Sequence, residues 1–216
     1  MDDLRSNMRP ALAATALLTL LCGVVYPMLV TFVAELAFPR QARGSLVERG
    51  GAVVGSELIG QPFDDPAYLH GRPSATSPRP YVAFDAATLA GSTGSNLGPT
   101  NPAFLQAVAE RVVAARAADG DGPLPAELVT ASASGLDPHI SPAGAERQVA
   151  RIAAARGVEA SKVRETIARR TLGRTFGLLG EPRVNVLLVN LDLDEAFGPP
   201  QRPEHGPSGK VVPSPP

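Results

Sequence analysis

Tryptophan is absent from this chain, and cysteine occurs once, at Cys22. Cys22 lies inside the longest apolar run, so the polar part of the chain can build neither a disulfide nor a cysteine-ligated zinc site. Aromatic residues make up only 5% of the sequence, which argues against a site that stacks sugars or bases. An excess of one charge is missing too: the formal net charge is −1, without the basic footprint of nucleic-acid binding. His70, His139 and His205 are not spaced as metal ligands. No Gly-x-Ser-x-Gly elbow and no Ser-x-x-Lys sequence occurs. The Gly-rich stretch at 91–98 is not a phosphate loop, because no Gly-Lys-Ser/Thr closes it and no apolar strand feeds it.

What the chain does have is one long apolar run. Ala11 to Ala34 carries no charge over about 24 residues. As a helix it would be about 36 Å long, enough for a hydrocarbon core of roughly 30 Å. The run is too long for a cleavable signal core, and Leu21 stands where a lipoprotein site at Cys22 needs a small residue. The sequence thus predicts a leader at 1–10, a membrane helix at 11–38, one mixed α+β domain at 39–197 and a disordered Pro-rich tail at 198–216. Within the helix Ala11, Thr15, Thr19, Gly23, Pro27 and Thr31 recur every four residues, and small residues on one face let a partner helix approach. Thr15, Thr19 and Gly23 are the candidate interface, and Pro27 predicts a kink or a freed carbonyl. Arg5 and Arg9 precede the run and Arg40, Arg43 and Arg49 follow it, so charge alone does not orient it. The layout is that of an uncleaved signal anchor, with the domain outside.

Along the domain, Leu46-Val47, Ala52-Val53-Val54 and Leu58-Ile59 read as short strands with turns at Gly50-Gly51, Gly55 and Gly60. Asp64 to Arg72 reads as a loop with one helical turn. A helix starts at Thr100 or Asn101 with Pro102 in its first turn, and Phe104, Leu105, Val108, Val112 and Ala115 share a face. A second helix starts at Ser141-Pro142 with Ala145, Val149, Ile152 and Ala153 as its core stripe, and Gly157 ends it. A third spans Ala160 to Thr171. The near-continuous apolar run from Arg183 to Asp192 predicts a central strand.

The densest polar cluster is Leu128 to Pro142, with Thr130, Ser132, Ser134, Asp137 and His139. A Ser134–His139–Asp137 arrangement would make the chain an anchored extracytoplasmic hydrolase. Asp137 and His139 flank Pro138, however, which is turn composition, and the hydroxyls read as caps on backbone groups. Asn96 and Asn101 belong to the same class of structural or interface residues.

Five stretches follow the single span in a fixed order: GSELIGQ at 55–61, RPSA at 72–75, GSNLGPTNP at 94–102, VTASASGLDPHIS at 129–141 and VNVLLVN at 184–190. Over about residues 8–194 this order resembles the C subunit of Kdp-type potassium-transporting P-type ATPases. The resemblance implies a non-catalytic accessory subunit in a bacterial inner-membrane complex, its domain extracytoplasmic. Its partners would be a potassium-selecting, channel-like subunit and a P-type ATPase subunit phosphorylated by ATP. It implies a chaperone-like role that raises the pump's affinity for ATP, with no tightly bound cofactor of its own and ATP shared with the catalytic chain. A glutamine at the position of Gln148 is tied to that nucleotide effect. The residues agree in part: without a Walker lysine loop or an Asp-Lys-Thr-Gly sequence the chain cannot be the ATPase, and with one span it cannot be the pore. Taken alone, Gln148 at the edge of the second helix's stripe reads as a surface residue in a subunit interface. ATP is cytoplasmic, so direct contact would require isolated domains or an inverted orientation.

Overall fold

The computed structural model describes residues 2–200. Most of the stretch expected to be disordered, 201–216, lies outside the described residues. The chain divides into two compact units, Met1–Leu58 and Ile59–Pro216.

The first unit is built on the apolar run. Its helix begins at Asp2 rather than Ala11, as α1 (Asp2–Leu20), and continues through a π-helical turn at Leu21–Val25 into α2 (Tyr26–Ala37). That turn is the physical answer to Pro27, whose ring cannot donate a hydrogen bond and crowds the preceding turn. Widening the helix relieves the clash, and Tyr26 N–H donates five residues back to Leu21 O. Asn7 to Ala37 is long and apolar enough to cross a membrane, and none of it is buried. After the short α3 (Pro39–Ala42), β1 (Leu46–Arg49) and β2 (Ala52–Ser56) form an antiparallel hairpin around Gly50-Gly51. Gly55 is no turn: it pairs with Val47 beside a register shift, and Leu58-Ile59 adds no strand. Arg40 and Glu57 form an ion pair within this unit.

The second unit holds four α-helices, three of which pack against a three-stranded sheet. Sequence-local signals place them. Asn101 caps α4 (Pro102–Asp119), its side chain accepting from Ala103 N–H at 2.9 Å. Ser141 caps α5 (Pro142–Arg156) through Gly144 N–H at 3.1 Å, and Gly157 ends it at φ 64. Next comes α6 (Ala160–Arg169), shorter than expected because Thr171 already belongs to a strand. The expected long strand at 183–192 is instead a three-residue strand running into a helix. Naming β3 (Phe84–Asp85), β4 (Ala90–Gly91), β5 (His139–Ile140) and β6 (Thr171–Leu172) in order, it is β7 (Arg183–Asn185) followed by α7 (Val186–Phe197). Asn185 is the switch: its side chain accepts from Leu188 N–H at 3.1 Å, and Val186, Val189, Asn190 and Leu193 then recur with helical spacing toward the core. β7 is still central, between β5 and β6 in an antiparallel sheet.

The core joins α5, α6, α7 and this sheet through Ile140, Val149, Ile152, Val163, Ile167, Val184, Val189 and Leu193. Leu69 enters it from a segment without regular structure. By contrast α4 buries no residue, and Leu105, expected on its inner face, is exposed.

Candidate functional site

From Ile59 to Asn101 the backbone forms only the two-residue β3–β4 ladder, so its polar groups need partners elsewhere. Side chains from the helices supply them. Asn190 of α7 accepts from Leu69 N–H at 2.8 Å and donates to Leu69 O at 2.9 Å. Gln148 of α5 does the same for the next residue, accepting from His70 N–H at 2.8 Å and donating to His70 O at 3.1 Å. Each amide thus imitates a neighbouring strand. Gln148 also accepts from Arg151 Nη2 at 2.6 Å and donates to Gly144 O at 3.3 Å. Two bonds accepted and two donated are the full capacity of a primary amide. At 2% exposure Gln148 is a core residue, not the surface glutamine its position on the stripe suggested.

Two arginines complete the clamp. Arg151 donates to Pro66 O at 2.6 Å and Tyr68 O at 2.9 Å and pairs with Asp119 at 2.8 Å. Arg156, with its side chain 2% exposed, donates to Ala67 O at 2.7 Å and to Gly198 O at 2.8 Å and pairs with Asp194 at 2.8 Å. Its guanidinium lies 5.0 Å over the Tyr68 ring.

The 130–139 loop is held just as closely. Ser132 is buried, and its N–H donates to Pro73 O at 3.0 Å. Ser74 Oγ donates to Gly135 O at 2.7 Å, and Asp137 pairs with Arg72 at 3.1 Å. Gly135 has φ 68, and a Cβ there would stand 2.7 Å from Thr93 O, so only glycine fits this turn. Thr130 Oγ1 donates to Ala126 O at 2.8 Å. Ser134 is exposed, and its Oγ accepts from Leu136 N–H at 3.1 Å, closing its own turn. His139 Nδ1 lies 4.0 Å from Asp137, while Asn185 Nδ2 lies 3.5 Å from Nε2 on its other side. Ser134, Asp137 and His139 therefore share one loop, but the serine hydroxyl is engaged with backbone and not with the imidazole. Asn101 is a helix cap, and Asn96 sits exposed at φ 53. Thr15, Thr19 and Gly23 are exposed along the span, where a Cβ at Gly23 would meet only Thr19 Cγ2, at 4.0 Å.

Between α4 and residues 62–81 lies a cleft of about 650 Å³, lined by Phe63, Tyr81, Ala115 and the guanidinium-bearing Arg72, Arg79 and Arg111, with Gln148 on its inner wall. Tyr81 donates to Arg72 O at 2.5 Å, and its hydroxyl pKa is pushed up to about 12, first by burial and then by Asp137. Burial, helped by Arg151, holds His70 below the usual imidazole range; burial does the same for His139 against the opposing pull of Asp137. Among the described residues, no group of three His, Cys, Asp or Glu side chains could hold a metal ion. Sequence reasoning missed Ser74, Tyr81, Asn190, Arg151 and Arg156. The one available signal was a polar residue, Asn190, set in an apolar run.

One helix among the described residues long and apolar enough to cross a membrane, followed by a mixed α+β domain whose polar clusters bond its own irregular backbone, points to the class: a membrane protein. Residues 8–195 match the family model described as K+-transporting ATPase, c chain. The chain is 61% identical to the potassium-transporting ATPase KdpC subunit of Sorangium cellulosum, over 88% of this chain and 98% of that protein. To the subunits of the same name from Methylococcus capsulatus and Herpetosiphon aurantiacus it is 56% and 54% identical, over 88% and 89% of this chain and 97% of each relative. The chain belongs to the KdpC family.

Proposed function

We propose that this chain is a non-catalytic accessory subunit of a potassium-transporting P-type ATPase. Its partners are the channel-like subunit that selects potassium and the subunit that ATP phosphorylates. The observation that carries this reading is the extent of the family match, which takes in the span and the domain together. The engagement of Ser134 Oγ by Leu136 N–H supports it against the hydrolase alternative. The complex sits in a bacterial inner membrane with this domain on the extracytoplasmic side, and the chain raises the affinity of the catalytic subunit for ATP. Gln148 has no donor or acceptor left for a nucleotide, so its part in that effect is indirect, through the 66–72 segment it holds.

A tagged chain solubilised in mild detergent should bring down both partner subunits. Omitting it should raise the ATP concentration needed for half-maximal potassium-stimulated hydrolysis. Recovery of the chain alone would overturn the assignment. An unchanged ATP dependence would overturn only the affinity effect. Protease added to spheroplasts should remove the domain; full protection would reverse the orientation.

A further inference from the structure

Between β6 and β7 the chain makes an excursion that its own core does not use. Thr175 N–H donates to Leu179 O at 2.8 Å and Leu179 N–H returns to Thr175 O at 2.9 Å, closing a tight loop. Arg174 Nη2 meets both oxygens of Glu181 at 2.8 Å below it. At the tip Phe176 and Gly177 take φ 55 and 75. Successive positive φ angles belong to turn positions that favour Asn, Asp or Gly, and a bulky aromatic there is an outlier. Yet Phe176 is 90% exposed, Leu178 79% and Leu179 63%. The fold therefore holds a strained aromatic and two leucines in water on a well-bonded hairpin. Strain of this kind gathers where a surface is used, and clustered exposed apolar side chains mark interaction sites.

The surrounding charges choose the occupant. Arg174 is answered by Glu181, Arg170 by Asp192 at 2.7 Å and Arg169 by Glu165 at 3.5 Å. Among the described arginines flanking the hairpin only Arg183 has no ion pair, whereas attraction to anionic lipid headgroups takes a cluster of about four or more free basic residues. An aromatic anchor inside a charge-balanced polar rim is instead the anatomy of a protein interface. We propose that the 174–181 hairpin is a docking knob for another subunit of the same transport complex, with Phe176 seated in an apolar pocket of that subunit. This rests on the accessory-subunit reading above.

The test is made on the assembled complex. With Phe176→p-benzoyl-phenylalanine in the full chain, irradiation of native membranes should give a covalent adduct with a pump subunit. Lipid adducts alone, or no adduct, would overturn the proposal. In parallel, Phe176→Asn should melt no lower than wild type, because Asn suits the tip's backbone, while recovery of pump subunits falls about tenfold or more, as for an interface anchor. If the wild type brings down the pump and Phe176→Asn does so equally, the knob is overturned alone. If the wild type brings down nothing, the knob falls together with the reading beneath it.

Discussion

Two regions of the second unit invert the usual partition of side chains. Around residues 66–74, amides and guanidiniums are buried: Gln148, Asn190, Arg151 and Arg156 converge on a backbone with no ladder of its own. At residues 174–181 the reverse holds, and Phe176, Leu178 and Leu179 stand in solvent. The first region shows polar chemistry used internally, where each group satisfies a backbone donor or acceptor that burial would otherwise strand. The second shows apolar surface that contributes nothing to the chain's own core. A polar cluster therefore points here to folding, and an apolar one to recognition.

Breaking the inward region should give the largest effects. Arg156→Ala leaves the Asp194 carboxylate with the Tyr68 hydroxyl but without its countercharge, and removes the donor to Ala67, Leu193 and Gly198 carbonyls. Loss of one member of a buried pair typically costs about 3–5 kcal/mol, which lowers the melting temperature on the order of 10 °C for a unit of this size. Thermal melting of the purified full chain measures it. Gln148→Ala and Asn190→Ala should each cost about 2–5 kcal/mol, because each leaves a cavity and strands an N–H and a C=O, half-buried at His70 and buried at Leu69. Their similar effects on melting would set the clamp apart from a ligand contact, since Asn190 does not line the cleft.

Acid tests the same region more gently. His70 and His139 are both held below their ordinary 6.5, mainly by burial, so the unfolded chain binds more protons than the folded one as pH falls. Their contribution to stability is complete above about pH 6.5 and is lost as pH falls through the lowered folded values. Melting should drop between about pH 7.5 and pH 5.5, and less steeply in His70→Gln than in wild type. A pH-independent difference between the two chains would refute this.

The smallest change is expected at the exposed turn. Ser134→Ala removes one hydroxyl that accepts from Leu136 N–H, a bond of about 0.5–1.5 kcal/mol net.

What could be read in advance divides along the same line. Asn101-Pro102, Ser141-Pro142 and Gly157 carry their meaning within one helical turn, so the starts of α4 and α5 and the end of α5 were legible. The α5 stripe was legible for the same reason, since helical periodicity is local. The 183–192 run was ambiguous, because continuous apolar sequence suits a buried strand or a buried helix alike, and the cap at Asn185 decided it. The partners of Gln148 and Asn190 lie 78 and 121 residues away along the chain, through a segment without any period. No local signal could have named His70 and Leu69. In the hydroxyl-rich loop, Ser134 Oγ accepts from Leu136 N–H and Asp137 from His139 N–H, bonds within two residues of the kind that Asp137-Pro138 turn composition suggests.

The 130–139 loop serves either the fold or a reaction, and the two roles separate in turnover. The most direct measurement is potassium-stimulated ATP hydrolysis per assembled complex, with Ser134→Ala and His139→Ala combined in this chain and melting followed alongside. We expect turnover per complex equal to that of the wild type, with any loss confined to the amount of complex recovered. Complexes that assemble fully, melt normally and hydrolyse no ATP would contradict it.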